Sequence, residues 1–162
     1  MIALLRSGEI TTDDLIAASL ARMDQVEPQV NAVVTRCPDR ARARPAPKDS
    51  LLAGLPIGIK DLNPVEGVRT TFGTKGMADN VPKASDALVQ RLEARGGVVL
   101  GKTNTPEMGA GANTFNAVFG ATRNPWNTAM NAAGSSGGAA VSLATGELWL
   151  SHGSDFGGSL RS

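Results

Sequence analysis

The sequence has few of the residues that build disulfides, metal centres and nucleic-acid interfaces. Its 162 residues include a single cysteine, Cys37, which excludes an internal disulfide and a two-cysteine metal site. Lys and Arg total 16 against 15 Asp and Glu, so the chain has no basic footprint for nucleic acid. Aromatic residues make up only 4%, which leaves few platforms for stacking bases. We therefore expect no metal, no cofactor and no nucleic-acid partner.

Long apolar runs are also missing from the sequence. No stretch approaches the roughly 20 apolar residues that a membrane helix needs, and no signal peptide precedes the first elements. Together with the lone cysteine, this predicts a reducing, cytoplasmic setting without a membrane partner. A chain of 162 residues is long enough to form one domain with its own core.

Helix and strand signals alternate along the chain. Thr11 and Asp14 predict a capping box, and the helix that follows is expected to end at Pro28. Further helices are predicted after a Ser85 cap and over 137–145, strands over 30–35, 55–59, 98–100 and 148–150, and connectors over 39–50 and 104–130. This alternation predicts an α/β fold, with a mixed, largely parallel sheet flanked by helices.

Residues 96–103 match the phosphate-binding pattern G-x-x-x-x-G-K-[ST] letter for letter. That pattern binds phosphate when it forms a loop between a strand and the start of a helix. Here a predicted helix precedes the motif, its variable positions are mostly strand-like, and Pro106 opposes a long helix directly afterwards. We interpret the segment as a helix end followed by a buried strand, not as a nucleotide site.

Residues 134–138 fit the nucleophile-elbow pattern G-x-S-x-G, which would nominate Ser136 as a nucleophile. An elbow needs a preceding strand, whereas 127–133 is polar and small rather than strand-like. A classical triad would also need His152, the single histidine, with an acid such as Asp155. We interpret His152 as a structural histidine with satisfied hydrogen bonds, so a Ser-His-Asp triad is disfavoured.

Three glycine-framed segments carry a lysine and several serines: 58–61, 134–138 and 155–159. Lys60 leaves an apolar strand, and burial of its stem would lower its pKa from about 10.4 towards the range of a base near neutral pH. Acyl chemistry needs a nucleophile, a base and backbone N–H donors close to the developing oxyanion. Together the segments therefore predict hydrolysis at an acyl carbon.

The three segments, in this order, resemble those of the amidase signature family. Residues 56–61 are similar to the family's lysine motif, and 101–107, 122–126, 134–138 and 155–161 are similar to its successive landmarks. The resemblance extends from about Leu5 to the end of the sequence. It implies an amidase signature fold and hydrolysis of a small carboxylic acid amide through a Ser–cis-Ser–Lys triad and an acyl-enzyme. It leaves the identity of the amide open.

Carried over by motif position, the resemblance assigns the triad to Ser159, Ser135 and Lys60. Ser159 would be the nucleophile, Ser135 the bridging residue after a cis peptide bond, and Lys60 the ultimate base. An oxyanion hole is implied at the backbone N–H groups of Phe156, Gly157, Gly158 and Ser159.

The resemblance also implies supporting roles around the triad. Asp155 and Arg161 are expected to hold the two serine loops, and Ser136 is expected to cap the following helix through its hydroxyl. Ala132 and Ala133 stand where family members often carry Pro and Gly.

Family domains are much longer than this chain, so residues 1–162 are interpreted as the N-terminal part of a single amidase signature domain, truncated after the nucleophile loop. An unfinished sheet edge is expected to associate with a second copy or with the missing C-terminal segment. Two alternatives stay open. One is an amidotransferase of the A type, which hydrolyses glutamine for its partner subunits, and the other is a non-catalytic fragment that serves binding or assembly.

Overall fold

A computed structural model describes residues 1–161. The helices are α1 (Ile2–Ser7), α2 (Thr12–Val30), α3 (Pro38–Ala43), α4 (Ala87–Ala94) and α5 (Gly137–Ala144), with short 3-10 helices at Lys75–Met77 and Glu107–Gly109. The strands are β1 (Val33–Arg36), β2 (Pro56–Lys60), β3 (Val98–Thr103), β4 (Phe115–Asn116), β5 (Gly120–Ala121), β6 (Arg123–Asn124), β7 (Asn127–Asn131) and β8 (Leu150–His152).

The central sheet has four strands in the order β1-β3-β2-β8. Strand β2 runs parallel to both β3 and β8, whereas β1 is antiparallel to β3. Strands β4 and β5, and likewise β6 and β7, form separate antiparallel pairs. The predicted mixed, largely parallel sheet with flanking helices is confirmed.

Apolar side chains cover both faces of this sheet. One cluster joins Ile16 and Met23 of α2 to Leu100 of β3, and a second joins Val89 of α4 to Ile57 of β2. Helix α5 packs against all four strands of the sheet. Strands β2 and β3 are buried along their whole length, which is why they read as continuous apolar runs.

Helix α2 begins as predicted but ends later. Thr11 Oγ1 accepts from Asp14 N–H at 3.1 Å and Asp14 Oδ2 accepts from Thr11 N–H at 2.8 Å, which confirms the capping box. The prediction that Pro28 ends the helix is wrong, because α2 continues to Val30. A proline removes one intrahelical hydrogen bond, and here the buried Val30 side chain and the Glu27 carboxylate, which accepts two backbone N–H groups beyond the helix, hold the last turn.

Other boundaries also differ from the sequence-based expectations. The cap of α4 is Asp86, whose carboxylate accepts from Leu88 N–H at 2.8 Å, whereas the Ser85 hydroxyl accepts from Glu66 N–H at 2.9 Å. The expected connector 39–50 includes most of α3, which starts at Pro38, a favoured first helical residue. Segment 127–133, judged unlike a strand, contains β7, which is exposed and formed by backbone pairing with β6.

The phosphate-like motif 96–103 is mostly strand β3, as interpreted from the sequence. Within residues 1–161, no helix is long and apolar enough to cross a membrane.

Candidate active site

Lys60 is the last residue of β2 and its side chain is fully buried. Its Nζ contacts three hydroxyl oxygens, those of Ser135 at 2.7 Å, Ser136 at 2.9 Å and Ser154 at 3.0 Å. Burial lowers the pKa of Lys60 to about 8, although the nearby Asp155 charge acts in the opposite direction. A substantial fraction of the lysine is therefore neutral close to neutral pH.

Ser135 lies between the lysine and the second serine of the site. Its hydroxyl oxygen is 2.7 Å from Lys60 Nζ and 2.8 Å from Ser159 Oγ. The Gly134–Ser135 peptide bond is cis, as the resemblance implied. The structure therefore brings Lys60, Ser135 and Ser159 together in that order.

Helix α5 starts directly behind this serine and approaches the end of β3 closely. A Cβ on Gly138 would meet the backbone N and O of Asn104, so only glycine allows the helix to lie this near the strand. Gly138 N–H donates to Asn104 O at 3.3 Å, which fixes the first turn of α5 against the sheet. This packing places Ser135 beside the end of β2.

Ser136 has a different role from the one predicted. It occupies the N-cap position of α5, but its side chain makes no capping hydrogen bond, so the predicted hydroxyl cap is wrong. Its hydroxyl instead donates to Ser154 O at 3.1 Å and accepts from Ser154 N–H at 3.2 Å, besides contacting Lys60. Ser136 thus links the lysine to the chain that leads to Ser159.

Asp155 organises the loop that carries Ser159. Its carboxylate accepts from Gly158 N–H at 2.7 Å and Leu160 N–H at 3.3 Å, and Arg161 Nε donates to it at 2.8 Å. The Arg161 guanidinium and the Gly158 N–H hold the pKa of Asp155 well below its usual range. These bonds all lie within one loop, so within residues 1–161 the prediction that Asp155 and Arg161 hold both serine loops is only half correct.

The four N–H groups expected to form an oxyanion hole are not equivalent. Gly158 N–H is bonded to Asp155, whereas the N–H groups of Phe156, Gly157 and Ser159 have no hydrogen-bond partner among residues 1–161. Two cavities of about 190 and 440 Å³ flank Ser159, and both are lined mainly by small residues. A substrate carbonyl can therefore reach the Ser159 hydroxyl from open space.

His152 does not join these residues. In the strand register it is paired with Ile59, which places its side chain on the sheet face opposite to Lys60. Burial lowers the pKa of His152, and its Nδ1 has no hydrogen-bond partner among residues 1–161. The expectation of satisfied hydrogen bonds is therefore wrong for this nitrogen, although His152 stays outside the serine site.

Ser154 is the site residue that the sequence did not reveal. It precedes the glycine-framed segment 155–159 and lies beyond the short strand β8, so no periodicity or motif points to it. The signal that could have found it is its place one residue before the expected nucleophile loop.

Residues 14–162 match the Amidase family. The chain belongs to the amidase family. This amidase-family chain is 45% identical, over 98% of its length and 34% of the relative's, to the A chain component of the glutamyl-tRNA(Gln) amidotransferase of Roseiflexus sp. (strain RS-1). It is 42% identical to an acylamidase of Rhodococcus erythropolis, over 99% of this chain and 36% of that protein.

Solved structures agree with the family assignment. The structure of 6-aminohexanoate cyclic dimer hydrolase matches 93% of this amidase-family chain and 32% of its own, with a TM-score of 0.85 and 37% identity. The predicted amidase signature fold is therefore confirmed. The chain spans about a third of the length of the curated relatives that it matches.

Proposed function

We propose that this amidase-family chain hydrolyses the C–N bond of carboxylic acid amides through an acyl-enzyme. Ser159 is the nucleophile, Ser135 the bridging residue and Lys60 the base. One observation carries this proposal: Lys60 Nζ, Ser135 Oγ and Ser159 Oγ form an unbroken line of contacts of 2.7 and 2.8 Å. The line joins a buried amine to a hydroxyl that borders open cavities, and it needs no histidine.

The proton moves along this line in the proposed reaction. Neutral Lys60 accepts the proton of Ser135, which in turn accepts the proton of Ser159 as the Ser159 oxygen attacks the amide carbon. The carbonyl electron pair moves to oxygen and forms a tetrahedral intermediate. When it collapses, the C–N bond breaks, Ser135 delivers a proton to the leaving nitrogen and regains one from Lys60. Water then cleaves the acyl-enzyme ester along the same route.

The oxyanion of the intermediate needs donors that are free to reach it. The N–H groups of Phe156, Gly157 and Ser159 are proposed to supply them, each worth about 3 kcal/mol in the transition state. Gly158 was expected among them, but its N–H is bonded to Asp155, so we assign Gly158 to holding the loop. Arg161 supports the same loop through Asp155.

Residues 1–162 are further proposed to be the N-terminal part of one amidase signature domain, because the chain spans about a third of its relatives. Strand β8 is the last strand in the sheet order, and a second copy or the remaining amidase segment would cover its outer edge. The proposal includes a cytoplasmic setting, which the single cysteine supports.

A glutamine-hydrolysing amidotransferase component of the A type is the second candidate function. Its support is the 45% identity to the corresponding component of a glutamyl-tRNA(Gln) amidotransferase. Release of ammonia from glutamine and co-purification of a partner protein would distinguish it from an amidase that acts alone. A non-catalytic fragment used in binding or assembly is the third candidate, and it predicts that the serines do not react.

A fluorophosphonate probe with mass-spectrometric mapping tests the proposal directly. The purified chain should carry the adduct on Ser159, and Lys60→Ala should lose it while the exposed Lys75→Ala keeps it. An adduct on Ser136 would contradict the assignment of the nucleophile. A chain that is folded by circular dichroism but stays unlabelled would favour the non-catalytic candidate.

A further inference from the structure

A second lysine is buried in the same sheet, on the strand next to Lys60. Lys102 of β3 is paired with Ile59, whereas Lys60 is paired with Thr103. Because side chains alternate between the faces of a sheet, the two lysines point to opposite sides of it. Lys102 is fully buried, yet it has no contact with the serines in residues 1–161 and no part in the proposed reaction.

All three donor positions of the Lys102 ammonium are used. Its Nζ lies 3.1 Å from Asp61 Oδ1, 2.7 Å from Thr70 Oγ1 and 2.9 Å from Asn63 O. The second carboxylate oxygen of Asp61 accepts from the N–H of Thr71 at 3.0 Å and from its hydroxyl at 2.6 Å. The lysine and the carboxylate therefore form one closed network of partners.

This network surrounds the turn that begins at Lys60. Asn63 N–H donates to Lys60 O at 3.1 Å and closes the turn, and Asp61 N–H donates to Thr103 O at 3.0 Å. Lys102 thus contacts both the residue that follows Lys60 and the residue that closes its turn. A four-carbon side chain can place its amine in many positions, so the backbone at residue 60 decides where Lys60 Nζ lies.

Stability alone does not account for this arrangement. The Lys102 and Asp61 side chains are 0% and 1% exposed, and taking two charges out of water costs as much as their attraction returns in many proteins. The surrounding cluster of Ile59, Val65 and Val99 shows that apolar side chains pack on this face of the sheet. A charged pair in this cluster instead fixes one geometry, because each of its hydrogen bonds has a direction.

We propose that Lys102 is a positioning residue for amide hydrolysis, which fixes the turn after Lys60 through Asp61 and Asn63 and so directs the Lys60 amine towards Ser135. This inference rests on the proposed role of Lys60 as the base. It adds to that role a residue on the opposite face of the sheet that no contact with the serines would reveal.

The test follows the titration of Lys60 by NMR in protein labelled with ¹³Cε-lysine, with the signal assigned by its loss in Lys60→Met. Lys102→Met leaves the Asp61 carboxylate without its cation, so both the freed turn and this charge should raise the pKa of Lys60. The double variant Lys102→Met/Asp61→Asn removes both charges and isolates the positioning effect. We expect the double variant to raise the pKa of Lys60 by about one unit, because its amine becomes hydrated.

Labelling of Ser159 by the fluorophosphonate gives a second reading. A rise of one unit should slow labelling about tenfold at pH 7, because the neutral fraction of Lys60 falls tenfold. Lys102→Arg keeps the ion pair to Asp61 and should show a smaller rise, and it replaces the other variants if they do not fold. Val89→Ala opens the same apolar cluster without touching the turn, and it should lower the melting temperature while leaving the pKa of Lys60 unchanged.

The inference is overturned if the folded double variant, or Lys102→Arg in its place, keeps both the parental pKa of Lys60 and the parental labelling rate. An equal rise in Val89→Ala would also overturn it, because the effect would then follow from lost stability. A parent chain that is never labelled at Ser159 contradicts the proposed function separately, since the Lys60 titration reports positioning without any reaction.

Discussion

The hydroxyl oxygens of Ser135 and Ser159 lie 2.8 Å apart, although 24 residues separate the two serines in the sequence. Between them the chain forms helix α5 and then strand β8, which pairs with β2 in parallel. Carboxyl ends of parallel strands meet at one edge of a sheet, so the loop after β8 returns to Lys60 at the end of β2. The parallel pairing of two neighbouring strands thus assembles the site.

The two adjacent serines should differ sharply in their effect on reactivity. Ser135 Oγ contacts both Lys60 Nζ and Ser159 Oγ, whereas Ser136 Oγ contacts Lys60 and Ser154. Ser135→Ala therefore breaks the proton route and should slow fluorophosphonate labelling of Ser159 by about 10²–10⁴. Ser136→Ala should slow it by only about tenfold, because the route through Ser135 remains. Equal losses in the two variants would contradict the assignment of Ser135 as the bridge.

Reactivity of Ser159 should follow the charge of Lys60. Burial lowers the pKa of Lys60 to about 8, and only the neutral amine can accept the proton. The labelling rate should therefore rise about tenfold per pH unit below that value and level off above it. The measurement is the rate of Ser159 labelling between pH 6 and pH 10 as the pH is varied in steps. A profile that is flat over this range would mean that Lys60 is not the base.

Ala133 offers a test of the backbone in front of the serine pair. Its φ is 54°, in the left-handed region where a side chain is unfavourable, and it stands where family members often carry glycine. Ala133→Gly should raise the free energy of unfolding by about 1 kcal/mol, measured by chemical denaturation. Ala140→Gly, in the regular helix α5, should lower it by a similar amount of about 1 kcal/mol. A loss of stability in Ala133→Gly would show that this conformation is not strained.

The sequence predicted most of the elements because their signals are local. The capping box at Thr11 and Asp14 and the buried strands β2 and β3 depend on neighbouring residues, and the structure has them. Lys60, Ser135 and Ser159 could be brought into one hypothesis because each lies in a glycine-framed segment that resembles a family motif.

What the sequence could not predict depends on contacts between distant residues. Ser154 reaches Lys60 only because β8 lies beside β2, a pairing that spans about 90 residues of the chain. The ion pair of Lys102 and Asp61 likewise follows from strand register, and Pro28 is tolerated because tertiary packing holds the helix end. The Ser136 hydroxyl was expected to cap α5, but the nearby Lys60 amine and Ser154 backbone engage it instead.

Two acidic side chains meet behind the sheet, near the start of β1. Glu147 is fully buried and its Oε2 accepts from the Thr145 hydroxyl at 2.5 Å. Glu27 uses its carboxylate to accept from Ala32 N–H at 2.9 Å and from Val33 N–H at 2.5 Å. Burial, followed by the hydrogen bond and charge of Glu27, raises the pKa of Glu147 to about 9 against the opposing Arg36 charge. Glu147 is therefore protonated in the folded protein at neutral pH and donates to Glu27.

This pair should make stability fall as the pH rises. Glu147 titrates near its ordinary value of 4.5 in the unfolded chain and near 9 in the folded one, so folding takes up a proton between these values. The stabilisation is complete below pH 4.5 and is lost progressively up to pH 9. Glu147→Gln supplies a neutral donor to Glu27 at every pH, and we expect it to raise the free energy of unfolding at pH 8 by about 2 kcal/mol. It should also flatten the pH dependence measured by urea unfolding from pH 5 to pH 9, whereas the exposed Glu107→Gln should leave both unchanged. A Glu147→Gln variant that is less stable than the parent at pH 8 would mean that Glu147 is ionised and needed as an anion.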